Sequence, residues 1–347
     1  MRCVHCVSGQ VREIGQTEYE RRYFCPACRH TFSVDRPQPT KPESNPFICF
    51  NHQGKANALI SALAPKYTQI VSEVYDRHAL FVLTDNDIKS RQRQLEKIRL
   101  VGCNIFIVYP HSARPSMVND HYRRWDHTTA QFVVNEYHAE VLRKSGYDKP
   151  LISIGWTLCP LREFQPRWAR NVLFAPIHPR NAPQDRDVNA RTFARLYPHA
   201  LSGEINLTVR FVGDLLDNGL QREQGVTYIH GKMNQDFSEI DVADVVIGHQ
   251  TVAWIAVARG VPTVMMAEDM PTHFRKPDQS YEDVKSWNKI HPLIKYPLDI
   301  LAESNTMKLL NRAVRSDVEI ADWRRRMIGD AFDPLKFAEI VEGYINR

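Results

Sequence analysis

The sequence has no long apolar run. No stretch of about 18 consecutive apolar residues occurs in the 347-residue chain, which excludes a membrane-spanning helix on hydropathy. The first residues carry cysteine and charge where a signal peptide would be apolar, and no amphipathic membrane-binding segment stands out. These absences predict a soluble, cytoplasmic protein.

Internal repeats are also missing, and only one segment has a biased composition. This segment, Arg36 to Pro46, is rich in proline and lacks hydrophobic periodicity, so it is expected to be an extended linker. Apolar residues make up 43% of the chain, enough for two ordinary cores in addition to a small module before the linker. The net charge of +5 tolerates an anionic partner without requiring one.

Cysteine is scarce, and four of the seven cysteines form two Cys-x-x-Cys pairs separated by 18 residues. The four are Cys3, Cys6, Cys25 and Cys28. This spacing is typical of a tetrahedral Zn²⁺ site with four thiolate ligands, and the stretch from Val7 to Phe24 is long enough for a hairpin between the pairs. Metal binding is expected to supply most of the folding free energy of so small a module, on the order of 10 kcal/mol. No other group has the spacing of a zinc or magnesium site.

Short apolar runs alternating with helical patterns follow the linker, which predicts parallel β-sheets built from βα units. Strands are predicted near residues 47–50, 81–83, 105–109, 131–134, 151–154, 171–175, 207–212, 226–229, 245–247 and 263–266, and helices at 56–64, 136–144, 251–259 and 334–347. An irregular stretch, Gly155 to Pro160, divides the strands into two series. The predicted parts are a ribbon (1–36), a linker (37–46), two α/β domains (47–155 and 171–315) and C-terminal helices (316–347).

Polar residues follow the predicted strand ends in both series. In the first series they are His52, Asp85, Asp87 and His111, and in the second His178, Arg180, His249, Gln250, Thr251 and Glu268. A strand that ends at Gly248 and leads into a helix near Gln250 presents unpaired N–H groups and the positive end of the helix, which together favour a diphosphate. Ligands of open parallel sheets bind outside the carboxyl ends of the strands, where all these residues are expected.

Four segments resemble the two-domain glycosyltransferases of the B type (GT-B), in particular the branch of polyol-phosphate and teichoic-acid transferases. The segments are Tyr109-Pro-His-Ser-Ala113, Phe132-Val-Val-Asn135, Val172-Leu-Phe-Ala-Pro176 and Asp244 to Val264. The resemblance implies two Rossmann-like domains that face a crevice, with a nucleotide-sugar donor bound by the second domain. The chain has His249-Gln-Thr-Val252 where the family has Asp-Tyr-Ser-Ser, and Ala256 where an acid is usual, so the identity of the donor stays open.

The two cysteine pairs, with Gly15, Arg22 to Phe24 and Phe32, resemble the zinc ribbons at the N-termini of insertion-sequence transposases. The resemblance implies a module that helps to hold DNA. Residues 1–42 carry seven basic and four acidic side chains, so the module keeps a charge of about +1 once a zinc tetrathiolate is counted. A purely structural ribbon or a protein-docking module is the alternative interpretation.

Three functions are compatible with these features. The first is a glycosyltransferase that modifies a nucleic acid, at a hydroxyl of a modified DNA base, as phage enzymes do in the host cytoplasm. The second is a transferase for a cell-surface polymer, a polyol phosphate or a small molecule, and the third a nucleic-acid-binding protein without catalysis. An acceptor hydroxyl needs a base at the rim of the first domain, and His111, Asp85, Asp87 and His52 are the candidates. His111 is the position that matches the histidine of the family.

Overall fold

The computed structural model describes residues 12–16, 20–29, 31–35, 46–50, 57–63, 65, 68–70, 80–84, 104–108, 130–144, 148–177, 183–231, 237–249, 251–266, 296–315 and 318–345. The chain divides into two compact units, Met1–Asn45 and Pro46–Arg347. Among the described residues, no helix is both long enough and apolar enough to cross a membrane.

The N-terminal unit contains a three-stranded antiparallel sheet. Its strands are β1 (Arg12–Gln16), β2 (Glu20–Phe24) and β3 (Thr31–Asp35), in the order β1-β2-β3. Strands β1 and β2 pair antiparallel within the stretch that the sequence analysis judged long enough for a hairpin. Tyr23 and Phe32 stack across β2 and β3 with ring centroids 5.8 Å apart and, together with Cys25, form the small buried cluster of this unit.

The first sheet of the larger unit has six parallel strands. They are β4 (Pro46–Phe50), β5 (Thr68–Ile70), β6 (Leu80–Thr84), β7 (Asn104–Val108), β8 (Ala130–Val133) and β9 (Leu151–Ser153). The order is β5-β4-β6-β7-β8-β9, with every neighbouring pair parallel. The chain runs from β4 outward to β5 and then crosses back to β6. The reversal point of this sheet, where the direction in which the chain adds strands changes, therefore lies between β4 and β6.

The second sheet has five parallel strands. They are β10 (Asn171–Phe174), β11 (Asn206–Phe211), β12 (Val226–His230), β13 (Val245–Gly248) and β14 (Thr263–Met265). The order β12-β11-β10-β13-β14 is the 3-2-1-4-5 order of a Rossmann fold. Its reversal point lies between β10 and β13. The prediction of an α/β protein with two series of parallel strands is thus confirmed, and each predicted strand overlaps an observed one.

Eight helices accompany the two sheets in the described ranges. They are α1 (Asn57–Leu63), α2 (Glu136–Lys144), α3 (Pro183–Leu201), α4 (Ser238–Val242), α5 (Thr251–Ala258), α6 (Thr306–Ala313), α7 (Val318–Met327) and α8 (Pro334–Ile345). The last helix returns to the first sheet. Phe337 of α8 packs edge-on against Phe132 of β8 at 5.0 Å, in a cluster that also contains Leu59 and Leu63 of α1. The C-terminal segment thus completes the core of the first sheet.

Candidate functional site

The predicted ligand site lies at the reversal point of the second sheet, between β10 and β13, where most of the surrounding residues are described. Hydrogen bonds extend the pairing of the strands beyond their ends: the Ala175 amide donates to the Ile247 carbonyl at 2.8 Å, and the Met266 amide donates to the Gly248 carbonyl at 3.0 Å. The carboxyl ends of β10, β13 and β14 are therefore level with each other. Loops that diverge from such a point leave a crevice, which is the usual ligand position in open α/β sheets.

His249, which directly follows β13, is held in a defined orientation. Its side chain is buried, with 7% of the residue exposed, and its Nδ1 lies 2.9 Å from the Met266 carbonyl oxygen. Because a carbonyl can only accept, Nδ1 carries a proton and donates it. In the neutral ring, Nε2 is then the nitrogen without a proton. The sequence singled out His249, but the partner that orients it became visible only in the fold.

Helix α5 begins at Thr251, two residues after His249. The first amides of a helix have no carbonyl partner within it, and they are the groups that bind anions. Gly248 lies against this end: a Cβ placed on Gly248 would be 3.6 Å from the Ala253 nitrogen. With glycine at 248, that space beside the first helical turn stays open.

The far side of α5 is packed into the protein by aromatic rings. Trp254 stacks on Trp156 with centroids 6.3 Å apart, and it meets the edge of Trp323 at 5.0 Å. His138 of α2 faces Trp254 at 6.4 Å, and its Nε2 donates to the Met327 carbonyl at 2.8 Å. Burial lowers the pKa of His138 to about 4, so the ring is neutral at physiological pH. Residues packed on the first sheet therefore help to fix the helix that borders the candidate site.

Position 256, where the transferases that the sequence resembles usually have an acid, is an alanine with apolar surroundings. Ala256 is completely buried in an apolar cluster with Leu173, Val246 and Val261. A carboxylate there would be buried without water around it, at a cost of several kcal/mol. Ala256 thus belongs to the packing between α5 and the sheet.

A residue that the sequence analysis missed holds the turn after β10. Asn189 of α3 is fully buried, and its Oδ1 accepts from the Ile177 amide at 2.8 Å. Its Nδ2 donates to the carbonyls of Ile177 and Asn218, both at 3.0 Å. These three hydrogen bonds fix the backbone just before His178. A single asparagine in a helical pattern looks like a surface residue in the sequence, so only its burial reveals the role.

Most of the other predicted site residues lie outside the described ranges. They are His52, Asp85, Asp87, His111, His178, Arg180, Gln250 and Glu268. The strands that precede the first three are described: β4 ends at Phe50 and β6 at Thr84. These two strands flank the reversal point of the first sheet.

Half of the predicted zinc site is described. Cys25 is buried and Cys28 is half-buried, at the two ends of the turn that joins β2 to β3. The Arg29 amide donates to the Cys25 carbonyl at 2.8 Å, and Arg29 has a positive φ of 58°, which tightens the turn. Such a turn brings two thiols to one side, as a zinc knuckle requires. Cys3 and Cys6 lie outside the described residues, and within those ranges no group of three or more metal-binding side chains is found.

Comparison with known proteins gave structural matches only. A crystal structure of TarM covers 98% of this chain and 80% of its own, with 8% identity and a TM-score of 0.42. A mutant of S. aureus TarM, in complex with fondaparinux, alpha-GlcNAc-glycerol and UDP, has 10% identity over 98% of this chain and 80% of its own, with a TM-score of 0.44. Anabaena HepE in complex with UDP and glucose has 11% identity over 88% of this chain and 100% of its own, with a TM-score of 0.41.

No family model and no curated protein matches the chain. At these identities and TM-scores, the structural matches add nothing to the architecture read from the two sheets. The assignment of a function therefore rests on the residues of this chain.

Proposed function

We propose that the protein is a GT-B glycosyltransferase whose nucleotide-sugar donor binds at the reversal point of the second sheet. One observation carries the proposal. Gly248 ends β13 beside the first turn of α5, where a side chain would come within 3.6 Å of the Ala253 amide nitrogen. A diphosphate bound to these amides would place its negative charge at the positive end of the helix. Thr251 can add a hydroxyl donor, and His249 lies beside it.

In this proposal, the acceptor hydroxyl attacks the anomeric carbon of the sugar while the bond from that carbon to the diphosphate breaks. The helix amides stabilise the charge that develops on the departing phosphate, so this step needs no metal ion in principle. A base on the first domain takes the hydroxyl proton. The strand order favours Asp85 and His52, because they follow in sequence the two strands that flank the reversal point of the first sheet. His111 and Asp87 remain alternatives for the same role.

For the acceptor, we propose a nucleic acid and specifically a hydroxyl on a modified DNA base. The support comes from the N-terminal unit, with its Cys25–Cys28 knuckle and the net positive charge of residues 1–42. We propose that Zn²⁺ is held there by Cys3, Cys6, Cys25 and Cys28. The resemblance of residues 109–113 and 244–264 to polyol-phosphate transferases favours a second candidate, a surface polymer or small-molecule acceptor.

The test is an assay of donor hydrolysis and sugar transfer with UDP-, CDP- and GDP-sugars, with and without hydroxymethylated duplex DNA. Transfer to DNA that requires the hydroxymethyl group is the expected result. The double variant Cys25→Ser/Cys28→Ser should lose action on long DNA but keep donor hydrolysis, because the donor site lies in the other compact unit. Transfer to a polyol phosphate and not to DNA would favour the second candidate. If the protein binds DNA but neither hydrolyses nor transfers from any of these donors, it is a nucleic-acid-binding protein without catalytic activity.

A further inference from the structure

A cavity of about 480 Å³ lies near the amino end of β14 in the second sheet. The proposed donor site is at the carboxyl ends of the strands. The cavity wall includes Thr263, where β14 begins, and Val257 near the end of α5. The other walls are the connecting segment 161–164, one face of α7 and the turn 329–331. The volume is within the range of small-molecule sites, roughly 300–1,000 Å³.

Backbone hydrogen bonds hold the walls of this cavity in place. The Arg162 amide donates to the Ala258 carbonyl at 3.0 Å, and the Trp156 amide donates to the Asp330 carbonyl at 2.9 Å. The connecting segment also passes directly over Gly260, whose φ is +72°, and a Cβ there would collide with the Glu163 carbonyl. The cavity is therefore lined by backbone that these hydrogen bonds hold in place.

The cavity wall contains one half-buried cation, Arg324, that forms no direct ion pair in the described ranges, although the Glu163 carboxylate also lines the cavity. Nη2 of Arg324 donates to the carbonyls of Arg162 and, at 3.3 Å, of Ala258. Arg324 makes no ion pair within the described part of the chain. The two other arginines in the wall do: Arg162 pairs with Asp241, and Arg325 with Asp322.

Burial lowers the pKa of the Arg324 guanidinium, and the nearby Glu163 carboxylate only partly offsets this. The guanidinium still carries its charge, since an arginine in a protein does not lose its proton. A cation that is partly removed from water and has no carboxylate hydrogen-bonded to it gains from an anion that can accept from its remaining donors.

We propose that this cavity binds a small organic anion, a carboxylate or phosphate monoester on an apolar body, with Arg324 as its anchor. The apolar body would lie against side chains from three parts of the wall, namely Leu161, Phe164, Val257 and Ile320. The anion would face the Nε and Nη1 groups of Arg324, since Nη2 already donates to two carbonyls. This site is separate from the donor crevice, and its occupancy does not depend on the proposed transferase activity.

The experiment is isothermal titration calorimetry of the full-length protein with phenyl phosphate, benzoate and inorganic phosphate. Phenyl phosphate or benzoate should bind, and inorganic phosphate should bind at least about tenfold more weakly because it lacks the apolar body. Arg324→Gln should weaken binding of the organic anion by about tenfold or more, because a charge-assisted hydrogen bond is lost. Arg191→Gln removes the same charge from the exposed face of α3 and should have no effect.

Because Arg324 also bonds to the end of α5, its replacement could disturb the fold, and a second variant avoids this problem. Ala321 is an exposed residue of α7 in the cavity wall, so Ala321→Trp should fill the cavity and abolish binding while the melting temperature is kept. Failure of both organic anions to bind at millimolar concentration would overturn the proposal. So would equal binding by the wild type, Arg324→Gln and Ala321→Trp. None of these measurements uses a sugar donor, so they remain independent of the proposed function.

Discussion

The substitution Gly248→Ala adds one methyl group beside the proposed donor site and so tests whether a diphosphate binds there. The added Cβ would lie 3.6 Å from the Ala253 nitrogen and 3.7 Å from Cβ and Cγ1 of Val252, which are ordinary van der Waals distances. Gly248 is not among the glycines with positive φ, so alanine can adopt the same backbone conformation. The fold should therefore accept alanine, with a change in the free energy of unfolding below about 1 kcal/mol.

Donor binding should respond differently. A phosphate oxygen bonded to the Ala253 amide would sit about 2.9 Å from that nitrogen, in space that the methyl group would share. Loss of one hydrogen bond to a charged group costs about 1.5–3 kcal/mol, which corresponds to a roughly 10- to 100-fold weaker donor affinity.

The assay is calorimetric titration with whichever nucleoside diphosphate binds the wild type, together with a thermal melt. Gly343→Ala is the matched control, because Gly343 lies in α8 and a Cβ there has no heavy atom within 4 Å. The control should bind like the wild type. If Gly248→Ala folds normally and binds nucleotide with wild-type affinity, the diphosphate does not lie at the start of α5, and the proposed donor site is wrong.

Three further predictions test other parts of the molecule. Thr251→Glu places a negative charge at the N-terminus of α5 and should weaken nucleotide binding by more than Thr251→Ser does; equal affinities in calorimetry would contradict this. Purified protein should contain about one zinc per chain by elemental analysis and lose it in Cys25→Ser, while the thermal melt of the larger unit is unchanged; absence of stoichiometric zinc would refute the ribbon interpretation. His138 has a folded pKa of about 4, below its ordinary value of 6.5, so the unfolded chain binds the proton more tightly and stability should fall by about 3 kcal/mol as the pH drops from 6.5 to 4. Urea unfolding at several pH values measures this slope, and His138→Gln should flatten it.

The sequence predicted the strands well because each is a short apolar run bounded by polar residues. Helix α2 was predicted at Glu136–Lys144 and is observed with those bounds. Strand β5 was missed, since Thr68–Ile70 has one apolar residue and pairs only at the edge of the sheet. Helix α7 lies within the range 316–347 that was predicted to be helical, although its three consecutive arginines obscure the spacing of Ile320, Trp323 and Met327.

The order of the strands could not be predicted, because pairing joins residues that are far apart in the sequence. The contact between His249 and the Met266 carbonyl depends on that order, since it requires β14 to lie beside β13. The same holds for Asn189, whose three hydrogen bonds reach Ile177 and Asn218 from a neighbouring helix. The sequence could place polar residues at strand ends, but it could not say which ends are adjacent.

The connection between the two sheets indicates where relative motion would be concentrated. The chain leaves the first sheet after β9 and returns to it before α8. These two connecting segments, called the crossings here, pair with each other through a β-bridge between Trp156 and Ala331. Both crossings contain a glycine with positive φ, Gly155 at 85° and Gly329 at 68°. A Cβ at Gly155 would collide with the Ala331 carbonyl, so the crossings can lie this close only with glycine there.

Domain closure around a ligand usually takes place at a few such connecting residues. The two crossings, joined by the bridge, would move as one narrow hinge. Helix α8 would move with the first sheet, because Phe337 and Val341 belong to the core of that sheet. Helix α7 packs into the core of the second sheet, yet Asn135 and His138, which follow β8, bond to the carbonyls of Arg326 and Met327. These bonds hold the last turn of α7 to the start of α2, so any movement between the two sheets would have to keep them or break them.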